Sequence, residues 1–246
     1  MSKLLRANFV RLFKNKPLYL CVCIQVVMTF FYIFPYRNDF FIENIFYGNS
    51  IVSMLFSAVF VPLFLGTEHS DKTIRNKIIS GHTRFEIYSA SLVSAAVGVL
   101  IICLTPLVTA FIMALPFGGH FGSSPAEFAL YFTVLTAANM AMCGIYLISA
   151  MLVTSKANNV VLTLVIWFGA IFIAATIDEF LKMPQLSDGV LSTILRYAYD
   201  ITPVGQVLQI QIGECRNAGL FPVYSLLVII AATGLGLLFF RRKDLK

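Results

Sequence analysis

Six apolar segments, each long enough to cross a lipid bilayer, constrain the fold of this chain more than any other feature. A membrane-spanning helix needs about 20 consecutive and mostly apolar residues. Apolar residues make up 59% of the chain and charged residues only 12%, whereas a soluble domain carries about 25% charged residues. The predicted spans are roughly residues 18–34, 49–65, 88–115, 127–153, 160–177 and 221–240. We therefore expect an all-α membrane protein in which residues 1–246 form one transmembrane domain.

The first 16 residues predict an amphipathic helix that lies on the membrane surface. They lack the apolar core and the small-residue cleavage site of a signal peptide. On a helical wheel, one face carries Leu5, Phe9, Leu12 and Phe13, and the opposite face carries Lys3, Ala7, Arg11 and Lys14. A basic helix of this kind binds anionic lipid, so membrane lipid is an expected partner.

The distribution of lysine and arginine predicts the orientation of the spans. Most of these cations lie before span one, between spans two and three, between spans four and five, or after span six. Basic connections stay in the cytoplasm, so both termini are expected to be cytoplasmic. The net charge of +6 is explained by this topology, and no nucleic-acid partner is predicted.

A polar segment, residues 66–88, interrupts the apolar sequence between spans two and three. It is longer than a simple connection requires, and it combines seven charged residues with three isoleucines at helical spacing: Glu68, Asp71, Lys72, Arg75, Lys77, Arg84 and Glu86, with Ile74, Ile78 and Ile79. This pattern predicts a short cytoplasmic helix that presents one face to a partner.

The connection between spans five and six, residues 178–220, also has helical character. An apolar stripe at helical spacing is formed by Val190, Leu191, Ile194, Leu195 and Ala198. Thr202 and Pro203 follow and predict a break, because proline cannot continue a helix interior. We expect two short helices, which either re-enter the outer leaflet as a hairpin that covers an exit path or lie on the outer surface.

The chain has no recognisable catalytic or metal-binding motif. It lacks the phosphate-binding loop of ATPases, a zinc-protease motif and a hydrolase nucleophile motif, so we expect neither enzymatic activity nor a bound cofactor or metal. The predicted spans also contain almost no ionisable residue, whereas gradient-driven carriers usually hold an acid inside the membrane. Energy for any uphill transport is therefore expected to enter through residues 66–88.

Two motifs resemble the permeases of the ABC type-2 exporter family. The first runs Gly66-x-Glu68-x-x-x-Lys72-Thr73-Ile74-Arg75-Asn76-Lys77 and continues as Gly81-x-x-Arg84-x-x-Ile87-Tyr88. The second is the basic ending of residues 239–246. The expected topology of a surface helix, six spans and an outer hairpin is also similar to that family. Lys72 and the His82-Thr83 pair depart from the commoner residues at those positions.

The resemblance implies that residues 67–87 contain a coupling helix seated in a groove of a separate ATPase subunit. Two ATPase copies, which would bind ATP and Mg²⁺, and a second identical or different permease chain are then the expected partners. The implied coupling residues are Glu68, Asp71, Ile74, Arg75, Asn76, Lys77, Ile78, Gly81, His82 and Arg84. Glu68 is expected to pair with Arg84 or Arg75 and to make the connection rigid.

The resemblance also places spans one, two and five along a transport path. The candidate path residues are Gln25, Thr29, Phe30, Ser53, Phe56, Ser57, Phe60, Thr163 and Trp167, and those of the outer hairpin are Leu191, Leu195, Thr202 and Pro203. An aromatic path with few hydroxyl groups favours an amphipathic or hydrophobic substrate. Similar short permeases of the bacterial plasma membrane export bacteriocins and cytolytic peptides, so an amphipathic peptide is the expected substrate. A gradient-driven carrier and a scaffold or sensor subunit without transport remain the alternatives.

Overall fold

The computed structural model describes residues 2–36, 39–70, 73–183, 189–215 and 217–242. Its α-helices are α1 (Ser2–Phe13), α2 (Lys16–Ile33), α3 (Ile42–Ser70), α4 (Thr73–Ile79), α5 (Arg84–Phe117), α6 (Pro125–Leu152), α7 (Lys156–Lys182), α8 (Val190–Ile201), α9 (Pro203–Ile212) and α10 (Phe221–Arg242). Two-residue strands, β1 (Phe40–Phe41) and β2 (Gly119–His120), pair in parallel.

Six of the described helices, α2, α3, α5, α6, α7 and α10, are long and apolar enough to cross a membrane. They fall where the sequence predicts spans, so the expectation of an all-α membrane protein with six span-length helices is confirmed. The helices extend beyond the predicted apolar segments, and polar residues cap some of them. Ser124, for example, accepts a hydrogen bond from the backbone N–H of Glu127 at 3.3 Å, and Pro125 occupies the first turn of α6.

Helix α3 is the centre of the bundle and packs against α2, α5, α6, α7 and α9, while α6 packs along α10. Small residues allow the close approaches. A methyl group at Gly98 would overlap the ring of Phe60, which is fully buried on α3. In contrast, α2, α7 and α10 leave most of their apolar surface exposed. Such surface requires an apolar environment, which a lipid bilayer or a second chain supplies.

Helix α1 differs from the expected amphipathic pattern. Its inward face contains Leu4, Asn8 and Leu12, all buried, whereas Phe13 is 54% exposed although it was assigned to the apolar face. Arg11, assigned to the polar face, turns inward toward α3. The helical wheel was wrong here because it assumes that every charged side chain faces solvent. Arg11 instead pairs with the buried carboxylate of Glu68.

The connection between α7 and α10 contains the two short helices expected from its sequence. Helix α8 ends at Ile201 and α9 begins at Pro203, so Thr202 and Pro203 mark the break. Pro203 is buried and Thr202 half-buried. A methyl group at Gly205 would overlap the backbone carbonyl of Tyr199, so glycine permits the tight corner between the helices. Leu191 is 56% exposed on α8 and Leu195 is half-buried.

Candidate functional site

A buried ion cluster joins three helices at one end of the bundle, which we call the basic end because Arg11, Lys77, Arg84 and Lys156 lie there. Glu68, near the end of α3, is fully buried. Its Oε1 atom lies 2.5 Å from Nη1 of Arg11 on α1 and 2.8 Å from Nζ of Lys77 on α4. Lys77 also donates to Oδ1 of Asn8 at 3.2 Å. One carboxylate therefore fixes the positions of α1 and α4 relative to α3.

The surroundings of this ion cluster hold its members in place around the fully buried carboxylate of Glu68. The guanidinium of Arg11 stacks over the ring of Phe64 at 4.4 Å from its centroid. Thr73, at the start of α4, donates its hydroxyl hydrogen to the carbonyl of Glu68 at 3.0 Å. Hydrogen bonds between charged groups are stronger than neutral ones, and their strength rises where solvent is excluded. The cluster is thus a rigid joint between the short helix α4 and the transmembrane helix α3.

The partners of Glu68 differ from those expected from the sequence, which were Arg84 or Arg75. Arg84 instead points to the end of α10, where its Nη1 atom donates to the carbonyls of Phe240 at 2.7 Å and Arg241 at 2.8 Å. Arg75 is exposed on α4. Arg11, which the sequence analysis assigned to lipid contact, has the role expected of Arg84. Only the approach of α1 to α3 could have revealed this pairing.

Replacing Arg84 by glutamine is expected to loosen the end of α10. The last carbonyl groups of a helix have no partner within the helix, and a cation there also interacts favourably with the helix dipole. We expect the free energy of unfolding to fall by about 1–2 kcal/mol. We also expect faster amide hydrogen exchange in the last turns of α10. Arg84→Lys should keep only part of the wild-type protection against amide exchange, because one ammonium group fits two carbonyls less well than a guanidinium does. Unchanged exchange in the glutamine variant would contradict the capping role.

The remaining residues of the predicted coupling segment are divided between the interior and the surface. Ile78 packs inward on the chain's own apolar core, so it does not belong to an outward face. Asn76 is exposed and Ile79 is 74% exposed. Gly81 has φ of +88° and ends the turn after α4. His82 is half-buried, with Nδ1 at 3.6 Å from Oε2 of Glu86. Asp71 and the side chain of Ile74 lie outside the described part of the structure.

The outward surface of this segment contains Arg75, Asn76, Ile79, Ser80, Gly81 and Phe85. We call these six residues the α4 surface. Two large apolar side chains, Ile79 and Phe85, are each more than half exposed within it, and Arg75 supplies a positive charge. Arg75 and Ile79 lie on α4, which Lys77 anchors to α3, whereas Phe85 lies in the first turn of α5.

The candidate path residues mostly form hydrogen bonds and packing contacts between helices of one chain. Gln25 donates to Oγ of Ser53 at 2.6 Å and so joins α2 to α3. Thr163 donates to the carbonyl of Ala58 at 2.6 Å and joins α7 to α3. Ser57 donates to the carbonyl of Ser53. The structure therefore brings these polar groups together around α3.

The other candidate path residues lie on the same helices. Thr29 and Phe60 are fully buried and Trp167 is 8% exposed, while Phe30 and Phe56 are half-buried. Phe60 stacks with Phe64 at a centroid distance of 5.5 Å. The larger aromatic surfaces that face outward are those of Phe31, Phe168 and Phe172, with Phe172 at 73% exposed. These three aromatic side chains therefore face out of the bundle.

A buried acid at the opposite end of the bundle was not anticipated from the sequence. Glu43 is only 3% exposed, and its Oε1 atom accepts hydrogen bonds from the backbone N–H groups of Gly122 and Ser123, both at 2.7 Å. The apolar segment predicts a second span that starts at residue 49, whereas α3 begins at Ile42. The span-length helices therefore enclose one carboxylate at each end of α3, Glu43 and Glu68.

A cavity of about 850 Å³ lies at the same end as Glu43, between the end of α7, helix α8 and the end of α9. Its charged lining consists of Asp178, Lys182, Arg196, Asp200 and Glu214. Tyr199 lines it as well, and burial together with nearby carboxylates raises the pKa of this phenol. The sequence shows an apolar stripe and scattered charged residues here, but it did not predict that the acids converge, because Asp178, Asp200 and Glu214 lie far apart along the chain.

Comparison with known proteins leaves the family of this chain open. No family model matches the sequence, and no curated protein matches it significantly. The functional conclusion consequently depends on the residues and geometry described above.

Proposed function

We propose that this chain is the transmembrane permease subunit of an ATP-driven ABC exporter of the type-2 family. A separate ATPase subunit, in two copies, would bind ATP and Mg²⁺ and hydrolyse the nucleotide. The substrate would be an amphipathic or hydrophobic molecule, and an antimicrobial or cytolytic peptide fits best. The chain would cross the bacterial plasma membrane six times with both termini in the cytoplasm.

The observation that carries this proposal is the buried joint between α3 and α4. Lys77 and Arg11 converge on Glu68, so a force applied to α4 reaches a transmembrane helix through short, charge-assisted bonds. A flexible connection would dissipate that force before it moved the membrane region. The α4 surface remains exposed beyond the joint, and its apolar residues Ile79 and Phe85 offer a docking face for the groove of an ATPase.

The exposed faces of α2 and α7 support a dimer of permease chains. Phe31 on α2 and Phe172 on α7 are among the most exposed aromatic residues. Lipid covers such surface well, and a second permease, identical or different, covers it equally well. In a dimer, the aromatic residues of α2 and α7 would meet those of the partner and form an apolar path suited to an amphipathic substrate.

Replacing Arg75 by glutamate is expected to separate the permease from its ATPase without affecting insertion. The full chain, affinity-purified from its native membrane, should bring an ATPase with it, and the charge reversal should reduce that recovery at least tenfold. Arg75 is exposed, so the variant should keep the wild-type Tm. Lys14→Glu provides the matched control, because Lys14 is also exposed but follows α1 and lies outside the α4 surface. Equal recovery of ATPase with both variants would reject the docking face.

A gradient-driven carrier is the second candidate function, and buried Glu43 is the observation that favours it. Carriers use a carboxylate inside the membrane to bind the coupling ion. The sequence alone indicated no such carboxylate in the interior of a predicted span. Glu43 is buried in the first turn of α3, and its Oε2 atom has no hydrogen-bond partner among the described residues. The purified chain in liposomes distinguishes the two functions, because only a carrier moves substrate under a proton or sodium gradient without an ATPase.

A further inference from the structure

Three carboxylates from different parts of the chain meet in the cavity between α7, α8 and α9. Asp178 belongs to α7, Asp200 to α8, and Glu214 follows α9. Nζ of Lys182 lies 2.6 Å from Oδ2 of Asp178, and that pair is neutral as a unit. Asp200 and Glu214 then face a single further cation among the described lining residues, Arg196. Among the described lining residues, carboxylates therefore outnumber cations by three to two.

Tyr199 provides a second and independent indication of a ligand. The residue is 4% exposed, and its hydroxyl group is buried without a hydrogen-bond partner among the described residues. Its ring lies over Gly205. Tyr199 belongs to the cavity lining together with the three carboxylates. Burial raises the pKa of its hydroxyl, and the carboxylates raise it further, so the group stays neutral. A buried hydroxyl without a partner is costly, and a ligand in the cavity would remove that cost.

The composition of the lining favours an organic cation over a metal ion. Carboxylates form strong charge-assisted hydrogen bonds with ammonium groups, and aromatic rings attract the same cations. The cavity contains both, with Tyr197 as a second, more exposed aromatic residue. Its volume of about 850 Å³ is that of a site for a small molecule or several side chains. The amine of phosphatidylethanolamine fits less well, because its phosphate would lie beside three carboxylates.

We propose that this cavity binds the ammonium group of a lysine side chain in an amphipathic peptide, with Asp200 and Glu214 as counter-ions and Tyr199 as the neutral hydrogen-bond partner. The choice of a peptide rests on the proposed function. The ammonium site itself rests on the cavity, and its test needs no ATPase. A failure of binding would therefore leave the ATPase-docking proposal intact, and a failure of docking would leave this site intact.

The test measures peptide binding to the purified full chain in phosphatidylcholine nanodiscs. The probe is a fluorescent, lysine-bearing amphipathic helical peptide, compared with the same peptide after acetylation of its lysines, and the readout is fluorescence anisotropy. Acetylation removes the positive charge, so the wild type should prefer the unmodified peptide by about tenfold. Glu214→Gln, and more strongly the double variant with Asp200→Asn, should remove this preference.

Two further variants test the sign of the charge and the choice of residues. Arg196→Gln removes the cation that competes with the ligand and should strengthen binding of the unmodified peptide. Glu127→Gln alters an exposed carboxylate outside the cavity and should change nothing. Because Glu214 is also exposed, its variant should fold normally, as its Tm will show.

Three results would overturn the proposal. The first is a preference for the unmodified peptide that survives in the double variant. The second is weaker binding by Arg196→Gln, which would indicate an anionic ligand. The third is displacement of the peptide when phosphatidylethanolamine replaces phosphatidylcholine, which would identify the lipid amine as the ligand.

Discussion

Replacing Glu68 by alanine is expected to cause the largest loss of stability of any single substitution at the basic end. The change leaves Arg11 and Lys77 close together, partly buried and without their shared counter-ion. Removing one partner of a buried ion pair costs about 3–5 kcal/mol, which corresponds to a decrease in Tm of about 10 °C for a chain of this size. The measurement is thermal unfolding of the purified chain in detergent.

A matched control and a compensating variant separate the ion cluster from general damage. Glu127→Ala removes an exposed glutamate and should leave the Tm unchanged. Changing Glu68, Arg11 and Lys77 together to methionine should recover most of the Tm, because no charge then remains buried and unpaired. If Glu68→Ala behaves like Glu127→Ala, the joint between α3 and α4 does not exist as described.

The same set of variants tests the coupling role. In a complex with the proposed ATPase, Glu68→Ala should reduce substrate-stimulated ATP hydrolysis. The triple methionine variant should show whether charge or packing transmits the movement of α4 to α3. Full stimulation in the alanine variant would remove the support that the ion cluster gives to the exporter proposal.

Features encoded by neighbouring residues were predictable from the sequence. The six span-length helices follow from the length and apolarity of their segments. The break between α8 and α9 follows from proline, which cannot occupy a helix interior. The start of α6 follows from Ser124 as N-cap with Pro125 in the first turn. In each case the signal and the structure that it determines lie within a few residues.

Features that depend on the approach of distant segments were not predictable in the same way. Glu68 was expected to pair with Arg84 or Arg75, but it is buried and its partner Arg11 belongs to the N-terminal helix. The inward packing of Ile78 depends on how α4 lies against the core. The convergence of Asp178, Asp200 and Glu214 depends on the fold of the whole α7–α9 region. Helical spacing shows which residues share a face, but not what that face meets.

Glu43 was missed because an acid next to an apolar segment usually marks the end of a span. Its burial depends on the amides of Gly122 and Ser123, which follow β2. The pairing of Phe40 with Gly119 brings that backbone to the start of α3. The hydrogen bonds from these two N–H groups stabilise the loop against α3. This structural role explains the position of Glu43 without any role in transport.

Replacing Glu43 by alanine is therefore expected to release residues 119–123 from α3. Two charge-assisted hydrogen bonds are lost, each worth about 1.5–3 kcal/mol. We therefore expect the free energy of unfolding to fall by about 3 kcal/mol or more, and the amides of Gly122 and Ser123 to exchange rapidly. Glutamine keeps an acceptor oxygen without the charge and should lose less. If both amides remain as protected as in the wild type, Glu43 does not hold this loop.

The glutamine variant also decides between a structural and an ion-coupling role for Glu43. An acid that only anchors a loop tolerates glutamine, whereas one that binds and releases a proton or sodium ion does not, because the amide cannot carry the charge. In liposomes without an ATPase, the exporter proposal expects no gradient-driven transport by the wild type or by Glu43→Gln. Uptake by the wild type that disappears in Glu43→Gln, while the Tm stays close to that of the wild type, would make the chain a carrier with Glu43 as its coupling residue.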